Sequence, residues 1–477
     1  MKKNNLESII FFLVIYLVVA GCKAPAITQV TDSSLLPTSY LKSKDTTNAT
    51  DINWKDFFND KILTSLIDTA LQNNQDALIT LQEIEIAKNN FKVKSSLLFP
   101  RVNAGLGLGI EKVGTYTSQG AGDASADITP GNKVPENLTN IDLGFQASWE
   151  ADIWGKLRNT KKAAWVKYLS TVEGRNLVIT NLVAEVADAY YELVAYDNQL
   201  DLIRQNIALQ KEQLEIVKIQ KQAAVVTELA VKQFEAQLLN AQAVEFDLLQ
   251  KITETENKIN FLLGRYPQTI KRALTALNIS IPQQINTGIP SQLLKNRPDI
   301  KQSAFELEAA KFDVKAAQLE FYPSLSINSG IGLQAFKSSY ILTTPQSLAY
   351  SLVGDLTGPI INKTAIMAEF KTANALQIEA LYNYQKSIIN GFVEVSNELS
   401  NMSNLQKMYQ FKYQESETLN TSITIANDLF KSARANYLEV LTNQKDALAT
   451  KLELIEAKKR QLSSMIHIYK ALGGGWK

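Results

Sequence analysis

Shifting the chain by 223 positions lays the residues around Pro100 onto those around Pro323, and this internal repeat constrains the fold more than any other feature of the sequence. Asp76, Glu83, Glu85, Ala87, Lys88, Lys92, Pro100, Gly107 and Gly109 fall on Asp299, Glu306, Glu308, Ala310, Lys311, Lys315, Pro323, Gly330 and Gly332. In both copies the apolar period changes at the proline, from three or four residues before it to two after it, so a helix gives way to a strand. A chance match between two Ala/Glu/Lys-rich helical stretches would not move prolines, glycines and period changes together.

The later part of each copy aligns at an offset of 209, pairing Glu185-Val186 with Glu394-Val395, Leu229 and Val231 with Leu438 and Val440, and Leu263-Gly264 with Leu472-Gly473. The 14-residue difference marks an insert in copy one, and the Gly/Ser/Asp/Pro-rich stretch Gly114 to Thr139 reads as an exposed loop. A length of 477 residues suggests about three domains, but a duplication with long helices can make one continuous body. The expected division is a signal peptide over 1–21, a lipidated extended linker over 22–52, repeat 1 over 53–266, an irregular link over 267–290, repeat 2 over 291–473 and a tail over 474–477. Each repeat holds a helix, a strand, a loop, a second strand and a long helical hairpin.

The N-terminus carries Lys2 and Lys3, an apolar run from Ile9 to Ala20, and then Gly21-Cys22. That run is shorter than the roughly 20 residues of a bilayer span, and small residues before a cleavage point suit a signal peptidase. The pattern resembles a bacterial lipoprotein signal cut after Gly21, with Cys22 acylated; an ordinary secretory signal that happens to contain a cysteine is the alternative. Cys22 is the only cysteine, so no disulfide within the chain competes for it. Lys23, with no aspartate at that position, resembles the sorting pattern for the outer membrane.

Four segments alternate strictly. Val102, Ala104, Leu106, Leu108 and Ile110 oppose Arg101, Asn103 and three glycines, and Ile141, Leu143, Phe145, Ala147 and Trp149 oppose Asp142, Gln146, Ser148 and Glu150. Copy two repeats this with Leu325 to Leu333 and with Leu348 to Leu356. Their lengths fit transmembrane strands of about 9–11 residues, although a soluble sheet with one wet face alternates in the same way. No apolar helical run follows the signal, so entry into a membrane requires a closed barrel. Four strands are too few, since small membrane barrels use about eight, and such a chain must oligomerise.

Between the strands the helices are long. Lys156 to Phe261 and Ile360 to Leu472 contain no proline and one glycine each, Gly174 and Gly391. Lys156 to Gln222 as helix runs about 100 Å. Leu441, Leu448, Ile455 and Leu462 recur every seven residues, as on a coiled-coil seam. The pattern softens at Gln222 to Thr227 and at the aligned Ser432 to Asn436, which are read as hairpin turns. In Arg297-Pro298-Asp299 the proline and the aspartate suit a first helical turn.

These residues resemble the TolC-type outer membrane factors of tripartite efflux pumps, in their lipoprotein branch, over nearly the whole mature chain. The marks are Arg297-Pro298-Asp299-Ile300, Phe321-Tyr322-Pro323, Tyr437-Leu438-Glu439-Val440-Leu441, and Tyr469 through Trp476 with its three glycines. The resemblance implies an α+β membrane protein: a homotrimer whose four strands per chain form a 12-stranded β-barrel in outer-membrane lipid, above a periplasmic α-barrel closed at its far end. It also implies a periplasmic adaptor and an inner-membrane RND-type transporter as partners, and passive conduction of solutes such as drugs. A protein-secretion duct shares the architecture, and a non-conducting coiled-coil lipoprotein is the structural rival.

Leu438 occupies the family's leucine-ring position at the periplasmic gate, where it also suits a coiled-coil core. Thr442 stands where an aspartate is common, Lys445 where a basic residue is, and Ala433 replaces a turn glycine. Val226, Thr227, Ala433 and Asn436 are the candidate adaptor contacts at the hairpin tips. Composition argues against other chemistry. Lys+Arg 49 against Asp+Glu 48 gives a net charge of +1, which offers no footprint for nucleic acid. His467, the lone histidine, has no metal-ligand spacing around it and reads as a packed or solvated helix residue. Gly473-Gly474-Gly475 ends a helix rather than opening a phosphate loop. No catalytic residues, metal or cofactor are expected beyond the covalent lipid on Cys22.

Overall fold

The computed structural model describes residues 24–28, 37, 39–40, 53–58, 60–278, 288–359, 361, 363–432 and 434–476. Gly21, Cys22 and Ala433 lie outside these. In chain order the elements are α1 (Trp54–Phe58), α2 (Lys61–Asn73), α3 (Gln75–Ser96), β1 (Arg101–Glu111), α4 (Ser118–Ser125), β2 (Asp127–Thr129), β3 (Asn132–Lys133), β4 (Leu138–Ala151), α5 (Lys156–Gln222) and α6 (Glu228–Leu262). Copy two continues with α7 (Leu293–Asn296), α8 (Pro298–Leu319), β5 (Ser324–Ala335), β6 (Leu348–Thr357), α9 (Thr364–Lys431) and α10 (Tyr437–Ala471).

The repeat is visible in the element bounds. α3 and α8 both have 22 residues and start and stop 223 positions apart, while α6 and α10 both have 35 and lie 209 apart. α5 and α9 run for 67 and 68 residues without a break. Each copy changes from helix to strand as its proline dictates. After α8 the chain tightens, with Phe321 N–H donating to Gln318 and Tyr322 N–H to Leu319, before Pro323, which has no N–H to continue the ladder, opens the strand.

Contacts divide the chain into two compact units. Among the described residues, one gathers those of Met1–Thr31, Ile86–Tyr168 and Phe305–Leu381, and the other those of Asp32–Glu85, Leu169–Ala304 and Tyr382–Lys477. The first holds an antiparallel sheet in the order β1-β4-β5-β6, so the second strand of copy one pairs with the first strand of copy two. Its small core is Val314, Phe321 and Phe370, against which Ala24 and Ile27 pack. The second unit holds the main core, where Leu63 and Ile67 of α2, Tyr190, Tyr191, Leu193 and Val194 of α5, Ile259 of α6 and Leu462 of α10 are fully enclosed. The heptad residues Leu448, Ile455 and Leu462 face this core, and Leu441 packs on a smaller cluster.

The insert departs from the expected plain loop. It contains α4, capped by the Thr117 hydroxyl accepting from Gly120 N–H at 3.1 Å, and the β2-β3 ribbon, and its last two residues already belong to β4. β4 accordingly begins three residues before the alternation in the sequence shows. The segment after α6 is irregular yet held down, because Arg272 pairs with Asp197 and Glu256 and Ile270 is buried.

Candidate functional site

In the sheet, paired residues share a face, so registry converts four alternating sequences into two chemically distinct surfaces. One surface carries Val102, Leu106, Leu108, Ile110, Leu143, Phe145, Ile331, Leu348, Tyr350, Leu352 and Leu356, all of them exposed, with Leu108, Ile110, Tyr350 and Leu352 more than 70% so. An apolar face of this extent is too large for an ordinary wet surface. The other presents Asn103, Asp142, Gln146, Ser148, Asn328, Gln334, Ser351 and Asp355, with Gln334 Nε2 donating to Asn140 Oδ1 at 2.9 Å. A row of Gly105, Gly144, Gly332 and Ala349 crosses this polar face beside a hollow of about 410 Å³. At Gly144 a Cβ would lie 2.5 Å from the Ile331 carbonyl oxygen, so the close approach of β4 and β5 requires glycine. Among the described residues of a single chain, the outer edges of β1 and β6 have no strand partner.

The hairpin tips belong to the second unit. α5 ends with Ala224 N–H donating to the Lys221 carbonyl and Val225 N–H to Gln220, around Ala224 at φ +57°. This is a helix-closing turn of a kind usually given to glycine. At the second tip Arg434 N–H donates to Leu429 at 2.8 Å, the equivalent of the bond from Val225 to Gln220. Thr227 begins α6 without a side-chain cap, whereas the Asn436 side chain accepts from Glu439 N–H at 3.0 Å. Both are exposed. Val226 is half-buried on a cluster of Leu214, Val217 and Phe234, so it is occupied within the chain.

Leu438, Thr442 and Lys445 form one exposed stripe of α10, at spacings of four and three, while Val440, Gln444 and Ala447 on the opposite side are buried. Leu438 is 49% exposed and is therefore not part of its own chain's core. Its repeat partner Leu229, at the first tip, is 61% exposed.

His467 is neither simply packed nor simply solvated. Its Nε2 lies 2.7 Å from Asp188 Oδ2 on α5 and its Nδ1 3.6 Å from Glu398 Oε1 on α9. Donation to the carboxylates of Asp188 and then Glu398 outweighs burial and pushes the imidazole up to about 10. Burial pushes Glu398 up, but hydrogen bonds from His467, Asn401 and Ser464 together hold it below the usual carboxylate range. Among the described residues, no group of three or more His, Cys, Asp or Glu is placed to hold a metal ion, and no helix is long and apolar enough to cross a membrane.

Residues 66–265 and 289–474 match the family model described as outer membrane efflux protein. Over 465 residues the chain is 25% identical to a probable outer membrane lipoprotein, SilC, of Salmonella typhimurium, covering 96% of this chain and 97% of that one. Over 437 residues it is 26% identical to the toluene efflux pump outer membrane protein TtgF of Pseudomonas putida, covering 90% and 87%. The solved outer-membrane channel OprN has the same fold, with a TM-score of 0.83 at 23% identity over 95% of this chain and 99% of that one.

Proposed function

The chain belongs to the outer membrane efflux protein family, and from that membership we propose that it is the exit duct of a tripartite efflux pump. It conducts solutes passively outward from a periplasmic adaptor and an inner-membrane RND-type transporter. The observation that carries this reading is the sheet, apolar and exposed along one face, polar along the other and open at both edges, on a chain that also carries helices of 67 and 68 residues. In hydrocarbon every backbone polar group needs a partner, so open edges demand closure by further copies. Three chains supply twelve strands, an even number within the range of membrane barrels, and turn the polar face towards a wet lumen.

A lipid on Cys22 fits this arrangement. Gln318 Nε2 donates to the Pro25 carbonyl at 2.8 Å and Asn374 Nδ2 to Thr28 Oγ1 at 2.9 Å, which fastens residues 24–28 beside Phe321, at the foot of β5. The exposed Leu438 stripe lines the closed end, with Thr442 in place of an acidic ring, and Thr227 and Asn436 stand with Ala433 at the adaptor-facing tips.

Reconstitution in a planar bilayer tests the reading. Purified protein is expected to give discrete conductance steps, and Leu438→Ser to enlarge or lengthen them. Silence at every voltage, even after removal of the hairpin tips, would instead support a non-conducting coiled-coil lipoprotein.

A further inference from the structure

The repeat makes the His467 cluster more informative than its contacts alone. The two carboxylates come from different copies, Asp188 from α5 of copy one and Glu398 from α9 of copy two, and each is fixed by a serine of α10: Ser463 Oγ donates to Asp188 at 2.7 Å and Ser464 Oγ to Glu398 at 3.0 Å. Three helices are therefore tied at one point. At the 209 offset the equivalents of His467, Glu398, Asp188 and Ser463 are Lys258, Ala189, Asn397 and Glu254. The cation is kept and both carboxylates are gone. Lys258 instead meets Glu192 of its own hairpin at 3.9 Å.

In a ring of alternating copies, two kinds of seam alternate: copy two against copy one within a chain, and copy one against copy two of the next chain. We propose that the His467 cluster locks the seam inside each chain, so that the duct opens along the seam between chains, where the repeat places Lys258 and Asn397. This rests on the trimeric duct proposed above. Leu438 precedes His467 by 29 residues, or about 44 Å of helix. The lock therefore holds the root of the copy-two hairpin, well away from the tip.

Disulfide locks test the assignment, because Cys22 is the only native cysteine. Asp188→Cys with Ser463→Cys bridges the seam within a chain, and Glu254→Cys with Asn397→Cys bridges the equivalent seam between chains. Oxidation of the first pair is expected to leave wild-type channel openings. Oxidation of the second should give covalent trimers on denaturing gels and abolish openings until a reductant is added. Covalent trimers that still open, or an in-chain lock that blocks opening, would overturn the seam assignment alone. Failure to form any covalent oligomer would overturn the ring itself. As a second variant, Asn397→Asp, at an exposed site, returns one of the missing acids to the seam that holds Lys258, and should lower open probability; an unchanged open probability counts against the lock.

Discussion

Copy one and copy two close their helical hairpins with the same backbone geometry and different side chains. In copy one Asn74 Nδ2 donates to the Leu262 carbonyl at 3.0 Å, while its Oδ1 caps α3 through Ala77 N–H at 3.1 Å. In copy two the equivalent residue is Arg297, which donates to the equivalent Ala471 carbonyl at 2.8 Å and also reaches Asp299 at 2.7 Å and Glu394 at 2.6 Å. The acids at the matching places in copy one, Asp76 and Glu185, are exposed. A neutral amide thus does in one copy what a buried cation does in the other, and the two should fail differently.

The largest effect is expected from Arg297→Ala. Glu394, Asp299 and a buried carbonyl lose their donor together; the acids left behind are partly exposed, 43% for Glu394 and 22% for Asp299, so the cost falls at the lower end of that for breaking a buried pair, about 3 kcal/mol. Asn74→Ala removes a buried hydrogen bond and a helix cap, for about 1–3 kcal/mol. Denaturant midpoints measured in detergent should rank the two variants in that order; equal midpoints would mean that the charge adds nothing to the clasp. The glycines that end the hairpins sharpen the comparison from the other side. A Cβ on Gly264 would sit 2.2 Å from the Asn73 carbonyl oxygen and one on Gly473 2.6 Å from that of Asn296, and both have positive φ. Gly264→Ala and Gly473→Ala should therefore cost alike, on the order of 2–4 kcal/mol each, since backbone strain and a backbone clash are common to both copies.

What the sequence reveals and what it hides follow from the range of each signal. Strands, helix starts and turns are written locally: Pro100 and Pro323 end helices, alternation names the faces, and the loss of heptad character at Gln222 marks a turn that the structure places directly after that residue. α4 was hidden because its Gly/Ser/Ala composition masks the Thr117 cap. The clasp and the lock were hidden for a different reason. Arg297 meets Glu394 97 residues later and His467 meets Asp188 279 residues earlier, and no local period encodes such partners. Only the repeat hinted at them, through the cation shared by His467 and Lys258.

A smaller, pH-dependent effect separates these two cations. The folded His467 lies near 10 against an ordinary 6.5, so its contribution is fully present below about 6.5 and is lost as pH rises through 10. The charges around it are Asp188 from α5, Glu398 and Glu394 from α9, and Lys470 from its own helix. The difference in midpoint between wild type and His467→Gln should accordingly be largest near pH 6 and shrink towards pH 10. Lys258→Gln should give a small, flat difference, because an exposed pair is worth about 0–1 kcal/mol. A flat profile for His467→Gln would show that its place in the helix packing, not its charge, matters.

The smallest expected effect lies at the first tip. Ala224 occupies a left-handed conformation, φ +57°, which costs a residue with a Cβ about 1–2 kcal/mol. Ala224→Gly removes that strain but frees the unfolded chain by roughly 0.4–1 kcal/mol, so a net gain between about 0 and 1.6 kcal/mol is expected. The gain should appear as slower hydrogen exchange at Val225 N–H, the amide that closes the turn onto Gln220. Faster exchange there would mean that the neighbouring Val226, packed on Leu214 and Phe234, already holds the tip in place and that the alanine adds useful stiffness.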